Sequence, residues 1–229
     1  MIFLPKTNDM TQEQCKNILS KTGVLPLFYH DDIEVCKEIF SALVESGINI
    51  IEFTNRGKFA RENFNALVEL NKKLSTPITL CVGTISTQEE AEFFLDAGAA
   101  FLISPFYEAE VHKVCETKNK IYVPGCMTPT EIHVAAKNNC QTIKLFPGNA
   151  LSASYLSGIK PLFPQSNFVV TGGVTTAFDN LSSWFSAGAI AVGMGSNLIS
   201  KKVLDNKDYA ALKEATRTLL DTTSSILNK

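Results

Sequence analysis

The sequence predicts a single-domain (β/α)₈ barrel, a TIM barrel of the α/β class, with one extra helix before the first strand. Three observations predict it: eight short apolar runs, helical stretches between them, and a glycine directly before several of the runs. With 229 residues and 45% hydrophobic content, the chain can bury one extensive core. No linker or shift in composition divides it, so residues 1–229 are expected to form one domain.

Eight runs rich in β-branched and aromatic residues are predicted to be strands. Because the runs are almost continuously hydrophobic, they suit a parallel sheet that is covered on both faces. An open doubly wound sheet is the competing architecture, but its first strand is normally followed by a glycine-rich turn, and here the turn reads Tyr29-His-Asp-Asp32. The eight runs are Val24–Tyr29, Ile48–Thr54, Pro77–Val82, Ala100–Ser104, Ile121–Pro124, Thr142–Phe146, Phe168–Thr171 and Ala189–Val192.

The helices between the runs have recognisable ends. Thr128-Pro-Thr-Glu131 combines a capping box with proline in the first turn, which predicts the start of a helix. A helix over residues 11–21 is expected ahead of the first strand, and a terminal helix over residues 209–227. Three glycines precede apolar runs and are expected to end helices in the left-handed conformation. They are Gly47, Gly98 and Gly188.

Composition excludes several classes of function. The chain has 21 Lys and Arg against 23 Asp and Glu, so it lacks the basic excess that would bind nucleic acid. Its six cysteines are scattered without a C-x-x-C pair, which argues against a zinc module or a disulfide scaffold. The longest charge-free stretch, residues 180–200, contains Gly, Ser and Asn and does not suit a membrane span. We therefore expect a cytoplasmic globular protein.

Two charged residues interrupt strands that are otherwise apolar, namely Glu52 and Lys144. Because alternate side chains of a strand share a face, the wholly apolar face should pack on the helices and leave both charges inside the barrel. A structural ion pair, or a strand wrongly assigned to the interior, would explain the two charges without a catalytic role. Buried ion pairs, however, add little net stability. Burial disfavours the charged form of a lysine, and a neutral amine attacks carbonyl carbons. The pair therefore favours Schiff-base chemistry.

Glycine-rich turns follow the last two predicted strands, at Thr171-Gly-Gly-Val174 and Gly193-Met-Gly-Ser196. Glycines let backbone N–H groups approach an oxyanion closely, and the loops after strands seven and eight of such barrels often hold phosphate. Tight turns would explain either motif alone, but the two together favour phosphate binding. Arg56 and Thr84 end the second and third strands and could hold a carboxylate, although each alone is more often an ordinary loop residue.

The order of these motifs resembles the class I aldolase family that cleaves 2-keto-3-deoxy-6-phosphogluconate and 4-hydroxy-2-oxoglutarate. The resemblance spans residues 23–200. It implies a (β/α)₈ barrel, commonly a homotrimer, that uses no metal or other cofactor. The motifs are Ile51-Glu-Phe-Thr-Asn-Arg56, Val82-Gly-Thr84, Ile103-Ser-Pro105, Val123-Pro-Gly125, Thr128-Pro-Thr-Glu131, Ile143-Lys-Leu-Phe-Pro147 and Thr171-Gly-Gly173.

The resemblance also implies a role for each site residue. Lys144 matches the Schiff-base lysine of the family, and Glu52 matches its acid/base carboxylate. Arg56 and Thr84 match the residues that hold the carboxylate of pyruvate. Pro105 and Phe146 match residues near the imine, and Thr171, Gly172, Gly173 and Ser196 match the region that receives the substrate phosphate.

The implied reaction is the reversible cleavage of a 2-keto-3-deoxy-6-phospho sugar acid to pyruvate and glyceraldehyde 3-phosphate. One alternative is cleavage of 4-hydroxy-2-oxoglutarate to pyruvate and glyoxylate. A non-catalytic barrel that binds a phosphate ligand would share the glycine turns, but only the aldolase needs Lys144 and Glu52 together. A phosphate-handling barrel isomerase or decarboxylase would normally show other acid–base or metal-binding residues.

Overall fold

The structure is a computed structural model that describes residues 10–228 as parallel strands alternating with helices. The predicted domain also includes residues 1–9 and 229, which lie outside the described residues. The strands are β1 (Val24–Phe28), β2 (Ile50–Thr54), β3 (Thr79–Gly83), β4 (Phe101–Ile103), β5 (Ile121–Val123), β6 (Gly125–Cys126), β7 (Thr142–Leu145), β8 (Asn167–Thr171) and β9 (Ala189–Met194).

The nine strands form one nearly closed barrel in the order β5-β4-β3-β2-β1-β9-β8-β7-β6. The two ends of this order, β5 and β6, are separated in the chain only by Pro124. The carbonyl of Pro124 accepts a hydrogen bond of 2.9 Å from the backbone N–H of Lys144, so the ladder with β7 already begins at the proline. β5 and β6 therefore act as one barrel strand, and the predicted (β/α)₈ fold is confirmed.

The helices surround this barrel, and their ends follow the capping signals of the sequence. The capping boxes of Thr11 with Gln14 and of Thr128 with Glu131 are both present. The three predicted stop glycines have φ values of +98°, +112° and +103°. The helices are α1 (Gln12–Thr22), α2 (Ile33–Glu45), α3 (Ala60–Lys72), α4 (Gln88–Ala97), α5 (Ala109–Thr117), α6 (Pro129–Lys137), α7 (Ala153–Ile159), α8 (Phe178–Ser186), α9 (Lys201–Asn206) and α10 (Tyr209–Leu227).

Strand residues alternate between two hydrophobic cores. On β2, Ile50 belongs to the core inside the barrel, whereas Ile51 and Phe53 belong to the core between the strands and the helices. Helix α1 packs against β1, β2 and β9 and adds Cys15 and Leu19 to the interior core. It therefore fills the end of the barrel at which the strands begin, and leaves the opposite end for the site.

The cysteines of the chain are core residues. All six are buried and unpaired. Within residues 10–228, no three or more His, Cys, Asp and Glu side chains are grouped so that they could hold a metal ion. No helix in that part of the chain is long and apolar enough to span a membrane.

Candidate active site

Glu52 on β2 and Lys144 on β7 meet inside the barrel, on the face that the alternation of strand residues predicts. The Lys144 amine lies 3.4 Å from Oε1 of Glu52. The side chain of Lys144 is 8% exposed and that of Glu52 is 1% exposed. Among the described residues, these are the only two charged residues that are buried. The fold therefore keeps one amine and one carboxylate together in an apolar interior.

The surroundings of the pair leave part of the carboxylate without a partner. Oε2 of Glu52 is buried and has no hydrogen-bond partner among the described residues, so it can accept a proton from a substrate or a water molecule. Burial, and then the Glu52 carboxylate, raise the pKa of the neighbouring Cys81 thiol well above its usual value. Cys81 therefore stays neutral beside the pair.

A cavity of about 370 Å³, called here the outer cavity, lies at the carboxyl ends of β1, β2, β8 and β9. Its volume is within the range of small-molecule sites. A smaller recess of about 10 Å³ is lined by Lys144 and Glu52. Thr171 lines both spaces, so the Lys144–Glu52 pair adjoins the outer cavity. The predicted site residues in the outer cavity are Arg56, Phe146, Thr171, Gly172, Gly173 and Ser196.

One side of the outer cavity is built from backbone. Gly172 and Gly173 have φ values of +99° and +72°, in the left-handed region that favours glycine. The amide of Asn197 donates a hydrogen bond of 2.7 Å to the carbonyl of Val174, which joins the turn after β8 to the turn after β9. Oγ1 of Thr171 is buried and has no partner among the described residues. This wall therefore offers hydrogen-bonding groups to an oxygen-rich ligand.

Two predicted site residues, Thr84 and Pro105, are not among the described residues that line the outer cavity or the recess. Pro105 lines a neighbouring apolar groove of about 500 Å³, and Phe146 lines both the groove and the outer cavity. Thr84 follows β3 with a φ of +65°, which is uncommon for a β-branched residue. Because such backbone strain is concentrated at functional sites, the φ of Thr84 supports a role there.

Replacing Thr84 with glycine is expected to separate stability from activity. A left-handed conformation costs a non-glycine residue about 1–3 kcal/mol, and the greater freedom of unfolded glycine offsets part of the relief. We expect the free energy of unfolding to rise by about 1 kcal/mol while the cleavage activity that the resemblance implies falls, because a hydroxyl donor is lost. Urea unfolding and steady-state kinetics measure the two effects. An equally active Thr84→Gly variant would show that Thr84 has no role in the site.

Three further residues of the outer cavity with polar side chains were not predicted: Tyr29, Thr54 and Asn197. Thr54 could have been found, because it lies two residues after Glu52 and shares its face of β2. The hydroxyl of Tyr29 donates to Asp31, and burial together with this hydrogen bond raises the pKa of Tyr29. Nothing in the sequence around Tyr29 indicates a binding residue, whereas Asn197 directly follows the Gly193–Ser196 turn and could have been found there.

The site combines a buried lysine, a carboxylate next to it and an adjoining glycine-lined cavity. Comparison with known families shows which of the possible functions this site serves. The family described as aldolase, KDPG and KHG aldolase, matches residues 15–215. The chain belongs to this family. It is therefore an aldolase, a lyase, as the resemblance implied, and KDPG and KHG denote 2-keto-3-deoxy-6-phosphogluconate and 4-hydroxy-2-oxoglutarate.

Individual KDPG and KHG aldolases are distant in sequence but similar in fold. A protein of Rhizobium meliloti (strain 1021), named probable 2-dehydro-3-deoxy-6-phosphogalactonate aldolase, is 27% identical over 72% of this chain and 76% of its own length. The structure of a 4-hydroxy-2-oxoglutarate/2-dehydro-3-deoxyphosphogluconate aldolase from TTHB1 has a TM-score of 0.74 and 27% identity, covering 91% of this chain and 97% of that one. The structure of KDPG aldolase from Legionella pneumophila has a TM-score of 0.81 and 22% identity, covering 89% of this chain and 97% of that one.

Proposed function

We propose that this single-domain chain is a Schiff-base aldolase that reversibly cleaves a 2-keto-3-deoxy-6-phospho sugar acid to pyruvate and glyceraldehyde 3-phosphate. The observation that carries the proposal is the buried Lys144–Glu52 pair, 3.4 Å apart, in a recess beside a glycine-lined cavity. In the Legionella pneumophila aldolase, pyruvate was captured as a covalent carbinolamine. We propose that the same intermediate forms here on Lys144.

In the first step, Glu52 takes a proton from the Lys144 ammonium group, and the resulting amine attacks the keto carbon of the substrate. A second proton moves from the nitrogen to the keto oxygen, which gives the carbinolamine hydroxyl. Glu52 then returns the first proton to this hydroxyl, which leaves as water. An iminium joins the substrate to Lys144. Since Oε1 of Glu52 lies 3.4 Å from the amine and Oε2 is unpartnered, one carboxylate can serve both transfers.

In the second step, the bond between C3 and C4 breaks and its electron pair moves into the iminium, giving a neutral enamine. The C4 hydroxyl loses its proton to Glu52, and the aldehyde leaves. Glu52 then protonates the enamine at C3, and water hydrolyses the resulting iminium to release pyruvate and restore Lys144. Covalent catalysis thus replaces an unstable carbanion with an enamine.

The remaining site residues hold the two ends of the substrate. Arg56 is exposed at the outer cavity, and none of the described residues pairs with its guanidinium, so it is free to bind the carboxylate together with Thr84. The Gly172-Gly173 turn and Ser196 receive the phosphate. KHG is the alternative substrate, and its second carboxylate, which is bonded directly to C4, does not extend to the position of the C6 phosphate. Pro105 and Phe146 bound the region next to the imine.

Replacing Ser196 with alanine tests the choice of substrate. The loss of a hydrogen bond to a charged group is expected to raise KM for the phosphorylated sugar acid roughly 10-fold or more. We expect kcat to change little, because Ser196 does not reach the bond that breaks, and we expect both constants for KHG to change little, because KHG has no phosphate. A coupled assay of pyruvate release measures all four constants. The matched control is Ser225→Ala on the exposed face of α10. An equal rise in KM for both substrates would contradict the phosphate assignment.

We also propose that the protein is a cytoplasmic homotrimer. Six unpaired thiols are compatible with a reducing compartment. The apolar groove next to the outer cavity carries three exposed side chains, Phe106 (50% exposed), Met127 (39%) and Val134 (39%). Exposed apolar patches of this kind are typical of protein–protein contacts. The groove is therefore our candidate for the contact between subunits.

Replacing Phe106 with glutamate is expected to dissociate the trimer, because a charge would be buried in the contact. Light scattering should give three times the chain mass of 25.1 kDa for the wild type and a lower mass for the variant. Leu162→Glu is the control, since Leu162 is 66% exposed and does not line the groove. A wild-type mass of one chain, or an equal effect of Leu162→Glu, would refute the assignment of this surface.

A further inference from the structure

Gly83 is the last residue of β3, directly beside the Lys144–Glu52 pair. We propose that Gly83 is a positioning residue: its missing side chain leaves the space in which the Glu52 carboxylate lies, and so sets the distance from that carboxylate to Lys144. The inference rests on the function proposed above, because it concerns the proton transfers assigned to Glu52.

The space at Gly83 is already filled by Glu52. A Cβ atom placed on Gly83 would lie 1.8 Å from Oε1 of Glu52, 2.6 Å from its Cδ and 2.9 Å from its Cγ. All three distances are shorter than a non-bonded contact allows. Oε1 is also the oxygen that lies 3.4 Å from the Lys144 amine. Any side chain at position 83 would therefore displace the atom that contacts the lysine.

The backbone conformation does not explain why position 83 is a glycine. Gly83 is not one of the glycines with a positive φ, and it pairs with Thr54 in the parallel ladder between β2 and β3. Other residues could adopt this strand conformation, and glycine in the interior of a strand weakens it. Glycine within a strand often marks the close approach of another group, and here that group is the Glu52 carboxylate.

The effect of a side chain would fall on Glu52 and not on the fold. The three atoms nearest to the added Cβ all belong to the flexible end of the Glu52 side chain. Gly125 differs, because a Cβ there would lie 2.1 Å from the backbone carbonyl oxygen of Pro105. The recess that Glu52 shares with Lys144 has a volume of only about 10 Å³. A displaced carboxylate must therefore change its position relative to the amine.

The test is Gly83→Ala in the full chain, measured by steady-state cleavage. Acid–base catalysis by a positioned group contributes about 10²–10⁴-fold, so we expect kcat to fall roughly 10–100-fold while KM changes little. In a Glu52→Gln background, Gly83→Ala should have almost no further effect on kcat, because the carboxylate that Gly83 positions is absent. Gly158→Ala is the matched control, since a Cβ at Gly158 meets no atom within 4 Å.

Three results would overturn the inference: an unchanged kcat in Gly83→Ala, an equal loss of kcat in both backgrounds, or a rise in KM alone. If Gly83→Ala does not fold, the double variant Gly83→Ala/Glu52→Asp should fold, because the shorter carboxylate vacates the space. Failure of the double variant to fold would show that Gly83 is required for the strand itself. Covalent trapping of pyruvate on wild-type Lys144 is measured separately. A failure of the proposed function can therefore be distinguished from a failure of the positioning role of Gly83.

Discussion

Lys144→Met is expected to lower kcat by more than about 10⁴-fold, because the variant has no amine to form the iminium. Methionine keeps an unbranched apolar stem of similar length, so the shape of the interior is largely retained. The measurement is pyruvate release at saturating substrate. Lys160→Met is the matched control, because Lys160 is a half-buried lysine whose amine donates a 2.7 Å hydrogen bond to the Ser166 carbonyl, away from the site.

Stability measurements distinguish a loss of catalysis in Lys144→Met from unfolding of the variant. Removing one member of a buried ion pair costs about 3–5 kcal/mol, because the other charge is left unpaired. Lys144→Met should therefore lower the free energy of unfolding, and the double variant Lys144→Met/Glu52→Gln should regain most of it without regaining activity. Lys160→Met should remain active even if it is less stable. Cleavage by folded Lys144→Met at a rate near that of the wild type would show that another group forms the intermediate.

Glu52→Gln is expected to lower kcat by about 10²–10⁴-fold, which is the range for a positioned acid–base group. The amide is nearly the same size as the carboxylate but cannot take the proton from the amine or return it to the leaving hydroxyl. Lys144 should still react with pyruvate, only more slowly, because the amine is retained. Steady-state kinetics and the rate of covalent trapping measure the two steps.

The control for this variant is Glu45→Gln at the exposed end of α2, where Glu45 pairs with Lys213. It should leave kcat unchanged, since surface ion pairs contribute little. If Glu52→Gln also leaves kcat unchanged, the proton transfers belong to another group or to water, and the inference about Gly83 loses its basis as well.

The sequence was sufficient for the features that follow from local rules. The period of two along a strand predicts that Glu52 and Lys144 point into the barrel, and both do. The capping box at Thr128 and the glycine at position 98 mark helix ends that the structure contains. Each of these features depends on residues within a few positions of one another, so one sequence is enough to find them.

The features that the sequence did not predict depend on contacts between distant segments. The division of the fifth barrel strand at Pro124 reflects how it pairs with β7, and the contact of Gly83 with Glu52 depends on the register between β2 and β3. The strained φ of Thr84 has no signal in its residue type, since threonine is ordinary at the end of a strand. Tyr29 enters the outer cavity only because the loop after β1 places it there.

The most direct measurement is covalent trapping on the wild-type protein. The protein is incubated with pyruvate, reduced with borohydride and digested, and the modified peptide is mapped by mass spectrometry. We expect one reduced pyruvate adduct per chain, on Lys144, and none in Lys144→Met. An adduct on a different lysine, or no adduct at saturating pyruvate, would contradict the assignment of Lys144 as the residue that bonds to the substrate.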